Sequence, residues 1–574
     1  MYPHAKLGVG PVIGDGLFYD FDLGEKKFSD EDLENIEKRM KEIIARKDRF
    51  EAQKLSIEQA RKFFKQNNQP YKVELIDDLA KYGTTVFDEI ETIKAGKAPA
   101  QGVNEVSLYK TGNFIDLCRG GHVESTAQLG ADAFQITTAS GAYWRGDQRN
   151  PQMQRVYAVA FATQRELIEY LKNQEELQKR DHRKLGTQLD LFSFHDIAPG
   201  AAFWHPNGMI IWKELEKLWR EKHDKTGYLE TCTPLMAKKD LWERSGHWQH
   251  YRENMFILEV DKEPYALKAM NCPESTYIYA SRVRSYKDLP LRLSEIGRVH
   301  RNELSGVLGG LLRVRQFTQD DAHIYCRPDQ ILNEVSGVLE LIKYFCGLFK
   351  FETKFFLSTR PENAMGSQEI WLKAETALEK ALKQNKVKYQ VNRGEGAYYG
   401  PKIDVTVNDA IGRAWQLGTT QLDFNMPERF ELSYTDEKGT KQRPVMIHRA
   451  IFGSFERFIG VLIEHFIGAL PLWLSPIQAA VLPVSKKQFS YAKKVYKTLE
   501  EQGVRTLLPD ANETLGKRIR EAELQKIPYI LVVGEKEQKG NTASVRHYRK
   551  GQEGAIKIKK LTEHIREEIG KKTI

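Results

Sequence analysis

The chain is poor in cysteine, in long apolar runs and in the commonest nucleotide- and metal-binding signatures. Its five cysteines among 574 residues, Cys118, Cys232, Cys272, Cys326 and Cys346, are odd in number and scattered. That argues against a disulfide framework and for a reducing compartment. No stretch reaches the roughly 18 consecutive apolar residues of a membrane span. The most hydrophobic one, residues 451–474, is interrupted by Glu456, Arg457 and Glu464. The opening MYPHAKLGVG has no charged region followed by an apolar core, so it does not read as a signal peptide. A cytoplasmic protein without a membrane partner is expected. There is no GxxxxGK[ST] loop and no HExxH helix. "GVGPVIGDG", residues 8–16, misses the GxGxxG spacing, contains Pro11 and follows no strand, so it reads as turns.

What is present begins with size and charge. With 41% hydrophobic and 29% charged residues, the chain reads as globular, and its length implies about three or four units. The net charge is +9, and residues 476–574 alone hold 21 Lys plus Arg against 12 Asp plus Glu. The last hundred residues thus carry the whole excess. A basic module of this kind suits a polyanion, nucleic acid above all, with a solubilising surface as the plainer alternative. Residues 1–162 mix short strand-like runs (VSLY, FQITTA) with a charged helical stretch at 30–47. Residues 163–184, "TQRELIEYLKNQEELQKRDHRK", predict one exposed connecting helix. Residues 185–472 predict a large α+β domain on an antiparallel sheet. Residues 473–574 alternate strands and helices, as in a small α/β domain with a mixed sheet.

The densest polar stretch is "RVHRNELSGVLGGLLRVRQFTQDDAHIYC", 298–326. Alternation with period two puts Arg313, Arg315, Phe317, Gln319, Asp321 and His323 on one face of a strand. Joined by a glycine loop to a preceding strand carrying Arg301 and Glu303, they would serve one pocket. Arginine forks suit phosphate, an aromatic ring suits a base, and a carboxylate suits an amine or hydroxyl. A solvated hairpin face is the competing reading. In "LKAMNCPEST", 267–276, the lone Cys272 is open to three readings: metal ligand, nucleophile or small buried side chain.

"HRNE" with "RVRQFTQDDAH" resembles motif 2 of class II aminoacyl-tRNA synthetases in their threonyl form. "RPVMIHRAIFGSFERFIG", 443–460, is similar to motif 3, with Arg457 as its arginine. "YLETCTPLMAKKDLWERSGHW", 228–248, is similar to motif 1, with Pro234. "MNCP", "GEGAYYGPKIDV", "QLGTTQLDF" and "RDHRKLGTQLDLF" also match the threonyl-tRNA synthetase family, so the resemblance runs nearly end to end. It implies a class II catalytic domain at 185–472. Before it come a partial editing-like domain at 1–162 and the linker at 163–184, and after it an anticodon-binding domain at 473–574.

Carried onto this chain, the resemblance implies ATP-dependent ligation of L-threonine to tRNA(Thr), with Mg²⁺ accompanying ATP. It also implies one Zn²⁺ per subunit held by Cys272, His323 and His448. Arg301, Glu303, Arg313, Phe317 and Arg457 fall at ATP positions, with Arg301 and Arg457 catalytic. Gln319, Asp321, Tyr399, Lys402, Gln416, Gln421 and Ser454 fall at threonine-pocket positions. Asn512, Arg520, Glu537 and Arg546 fall at anticodon contacts, while Lys526 stands where arginine is expected and Ala269 where proline is usual. Cys118 and His122 in "DLCRGGHV" match half of the editing motif. The HxxxH half, expected upstream, is not in this sequence, so editing of seryl-tRNA is lost, supplied by another chain or encoded further upstream. Motif 1 implies a homodimer. A synthetase-like RNA-binding regulator, a class II synthetase for another amino acid and a zinc hydrolase are the alternatives, and complete motifs 2 and 3 with the Cys-His-His trio disfavour them.

Overall fold

The strand "VMIHRA" (Val445–Ala450) is buried throughout, with Val445 and Ile447 in the hydrophobic core and the polar His448 and Arg449 buried beside them. In the computed structural model this strand lies inside an eight-stranded sheet. The strand order is Leu229–Glu230, Leu291–His300, Gln316–Cys326, Val445–Ala450, Ala414–Asp423, Lys402–Asn408, Glu352–Ser358 and Tyr389–Asn392. The six inner strands pair antiparallel and the two outermost pair parallel. The structure describes residues 1–14, 16–96, 98–147, 149–409 and 412–574. They fall into two units, Met1–Glu176 and Leu177–Ile574, and the sheet belongs to the second.

Period-two alternation divides the strand Gln316–Cys326 between two environments. Ala322 and Ile324 join the hydrophobic core formed with the helices Ile331–Leu348, Gln368–Gln384 and Phe455–Phe466. Gln319, Asp321 and His323 point to the opposite face. Between them Asp320, wholly buried, accepts hydrogen bonds from the backbone N–H groups of Ile451, Phe452 and Gly453 at 2.9–3.0 Å. It thereby fixes the turn that leads into the helix Phe455–Phe466. Ser454 caps that helix, accepting from the Arg457 N–H at 3.1 Å.

The C-terminal module has the expected mixed sheet, ordered Thr506–Leu507, Ala479–Pro483, Tyr529–Val533, Thr542–His547 and Gly551–Lys557. Its last strand, "GQEGAIK", and the closing helix Ile558–Lys571 are additions to the sequence reading. In the smaller unit, the helix Asp30–Ala45 starts at a Ser29 capping box. Two antiparallel sheets accompany it, one centred on Gly16–Asp22 and Gln152–Ala160, the other on Phe50–Ser56 and Glu105–Thr111. The single helix expected over 163–184 is two, Gln164–Arg180 and His182–Gln188. The break is at Asp181, whose carboxylate caps the second helix by accepting from Arg183 N–H at 2.8 Å. Among the described residues, no helix is long and apolar enough to cross a membrane.

Candidate active site and metal centre

Three elements bring Cys272, His323 and His448 together. Cys272 is the first residue of the helix Cys272–Ala280, which Pro273 helps to start. His323 and His448 face each other directly across two adjacent antiparallel strands, with ring centroids 5.1 Å apart. One ligand atom from each of the three lies within 4.8 Å of the others, and all three residues are buried. His448 Nε2 donates to Asp423 at 3.0 Å, which leaves a lone pair on Nδ1. A carboxylate behind a histidine is the usual orienting partner of a metal ligand. Burial pushes the Cys272 thiol up and, with His448 beside it, pushes His323 down. Among the described residues the group comprises one sulfur and two nitrogens, a donor set that suits zinc with an open position.

The trio opens into a cavity of about 420 Å³. Arg301, Arg313 and Arg457 converge on it, and burial followed by those two neighbouring cations pushes the Arg457 guanidinium down. Such a site favours an anionic guest. Arg301 lies over the Phe317 ring at 4.9 Å, and Arg313 pairs with Glu303 at 2.9 Å. Arg457 is held by Leu312 O at 3.1 Å and Gln416 O at 3.2 Å. Towards the trio, Tyr399 donates to Gln421 at 2.6 Å, and Gln416 and Lys402 both bond Asp404, at 2.7 and 2.9 Å. Asp321, its carboxyl pushed up by burial, accepts from Asn271 at 2.9 Å. Gln319 and Ser454 also line the cavity.

Arg315 departs from the expected alternation. The strand starts only at Gln316, and the Arg315 side chain turns away to Glu303 O at 2.8 Å and Ser305 Oγ at 3.1 Å. Arg313, also outside the strand, reaches the cavity from the loop. Asp404, Asp423 and Asn271 went unassigned in the sequence because each acquires meaning only from a partner distant in the chain. His247 is a third buried imidazole nearby, with Nε2 2.9 Å from Met270 Sδ and 4.0 Å from Cys272 Sγ. No spacing rule would have brought it here.

The other expected residues lie elsewhere. In the smaller unit, His122 Nε2 is 3.2 Å from Cys118 Sγ, and its ring stacks on Phe50. In the C-terminal module Arg520 and Arg546 share one groove with Lys526. Arg546 pairs with Glu523 at 2.9 Å. Asn512 is exposed outside that groove, and Glu537 caps its own helix by accepting from Gly534 N–H at 2.9 Å.

Comparison with known proteins gives these features a family. Residues 256–466 match the tRNA synthetase class II core domain (G, H, P, S and T). Residues 478–568 match an anticodon binding domain, and 106–157 the threonyl and alanyl tRNA synthetase second additional domain. The threonine-tRNA ligase of Caldanaerobacter subterraneus subsp. tengcongensis is 50% identical over 574 residues, 100% of this chain and 85% of that protein. Among solved structures, the RNA binding domain of threonyl-tRNA synthetase from Cryptosporidium parvum Iowa II is 42% identical, with a TM-score of 0.65. It covers 67% of this chain and 97% of its own. A putative threonyl-tRNA synthetase from Aeropyrum pernix is 30% identical, with a TM-score of 0.61, covering 68% of this chain and 97% of its own. Full-chain identity at this level, over the segments that build the cavity, places this chain in the threonine-tRNA ligase family of class II aminoacyl-tRNA synthetases.

Proposed function

We propose that the cavity joins L-threonine to ATP, and that Cys272, His323 and His448 hold one Zn²⁺ per subunit that reads the threonine side chain. The observation that carries this is the meeting, in one cavity, of three convergent arginines with a buried Cys-His-His trio. Arg301, Arg313 and Arg457 neutralise the phosphates of ATP·Mg²⁺, while Phe317 and Glu303 hold the adenine. Charge neutralisation and alignment are the main demands of phosphoryl chemistry, so the threonine carboxylate attacks the α-phosphate with pyrophosphate leaving. The threonyl group then passes to the 3′ end of tRNA(Thr). Gln319, Asp321, Tyr399, Lys402, Gln416, Gln421 and Ser454 orient the amino acid.

Held by Cys272, His323 and His448, a Zn²⁺ would supply a Lewis acid for the amine and the β-hydroxyl of threonine. Valine lacks the second donor. An apolar pocket separates such isosteres by only about 10²-fold, whereas a site built around a hydroxyl reaches roughly 10⁴ or more. Serine keeps the hydroxyl, so this selection works against valine and leaves serine to a separate hydrolytic step. Arg520 and Arg546 in the basic module take the anticodon, and a homodimer is the working assembly, to be checked by light scattering. The primary test is ATP–pyrophosphate exchange with threonine, serine and valine, before and after zinc chelation. Threonine-dependent exchange that disappears on chelation and returns with zinc is expected. Exchange indifferent to chelation removes zinc from the reading, and no threonine-dependent exchange at all removes the cavity assignment.

A further inference from the structure

His182 lies in the "RDHRKLG" stretch before the catalytic sheet, and it does not line the cavity. It is buried, and both ring nitrogens are in use. Nε2 accepts from the Leu311 N–H at 2.9 Å, so the proton sits on Nδ1, which donates to Glu464 at 2.7 Å. Asp181, His182 and Glu464 lie close enough to suggest a second metal site, but the imidazole has no lone pair to spare and Asp181 is committed to Arg183 at 2.6 Å. The arrangement is a strut rather than a ligand set.

What it joins is specific. Glu464 is near the end of the helix Phe455–Phe466, which carries Arg457 in its first turn. Leu311 belongs to the returning arm of the glycine loop, followed by Leu312, whose carbonyl accepts from Arg457 Nε at 3.1 Å, and by Arg313. His182 therefore closes a ring from the helix to the loop and back to the helix. Glu464 is braced on its other oxygen by Arg413. Two glycines permit the close approach. A Cβ on Gly310, at φ +55°, would stand 2.2 Å from His182 Nε2, and one on Gly460 would meet Leu311 and Leu312 at 3.1–3.2 Å.

We infer that His182 is a positioning residue for ATP. By clamping Leu311 to the Arg457 helix, it sets the separation of Arg313 and Arg457 and so the fit of the phosphates. This rests on the ATP reading given above.

The test uses the split between the two ring nitrogens. In H182Q the amide oxygen falls near Nε2 and keeps the Leu311 bond, while the backbone N–H of residue 182 still donates to Glu464 at 3.3 Å, so both ends of the clamp remain; H182N keeps only donors towards Glu464 and loses Leu311. In ATP–pyrophosphate exchange, H182N should raise the KM for ATP about tenfold, the worth of one lost buried hydrogen bond. The KM for threonine and the bound metal should not change, and H182Q should stay close to wild type. G310A, which pushes the loop off the ring, should reproduce the ATP defect and serves if H182N does not fold. Equal impairment in H182N and H182Q, or a lower melting temperature with an unchanged ATP KM, overturns the inference. R457A separates the two levels: an unchanged ATP KM in R457A overturns the ATP reading itself. An impaired R457A beside a normal H182N overturns only the positioning role.

Discussion

Two groupings of cysteine and histidine in this chain invite the same interpretation, and their surroundings separate them. Cys272, His323 and His448 are three donors, all buried, two of them fixed on neighbouring strands of a rigid sheet and one oriented by Asp423. Cys118 and His122 are two donors on a loop, with His122 exposed and its ring lying against Phe50 and Tyr109 at centroid distances of 5.1 and 4.4 Å. Among the described residues no third donor joins them as a metal-holding group. Residue type is therefore a poor guide to metal binding by itself. Donor count, burial and an outer partner that fixes the ring decide it.

Removal of a donor should split the two most sharply. Outer partners alone are worth roughly 10–100-fold in affinity, so Cys272→Ala or His323→Ala should cost more than about 100-fold. Metal analysis should find the zinc gone and threonine-dependent exchange lost with it. Retained metal would put the ion elsewhere. Asp423→Asn tests the outer partner: zinc affinity, followed by competition with a chromophoric chelator, should fall by roughly 10–100-fold, with the fold intact by circular dichroism. No change would make the burial of the trio sufficient. The smallest effect is expected from Cys118→Ala and His122→Ala, which should leave bound zinc per chain and exchange activity unaltered. A fall in metal content in either would erase the contrast.

The alternation in "RQFTQDDAH" made the cavity wall from Phe317 to His323 legible, because period two survives wherever a strand is regular. It failed at Arg315, one residue before the strand begins, where the backbone leaves the pleat. The Asp181 cap hid within a charged run that reads as uninterrupted helix. "GQEGAIK" concealed an edge strand behind two glycines. The trio was legible only through family resemblance, since its members are far apart in sequence, and the partners Asp423, Asn271 and Asp404 are defined by contacts that no local pattern encodes. The ring around His182 is the extreme case: its three segments meet only after the sheet and the helix have packed.

The direct pairing of His323 with His448 has a consequence for assembly. Val445–Ala450, late in the chain, inserts between the earlier strands Gln316–Cys326 and Ala414–Asp423. A slip of one residue in that insertion would send one imidazole to the opposite side of the sheet. On the zinc reading, capture of the ion would require the last inner strand to be in register, and metal uptake during refolding would report the moment at which the sheet is complete.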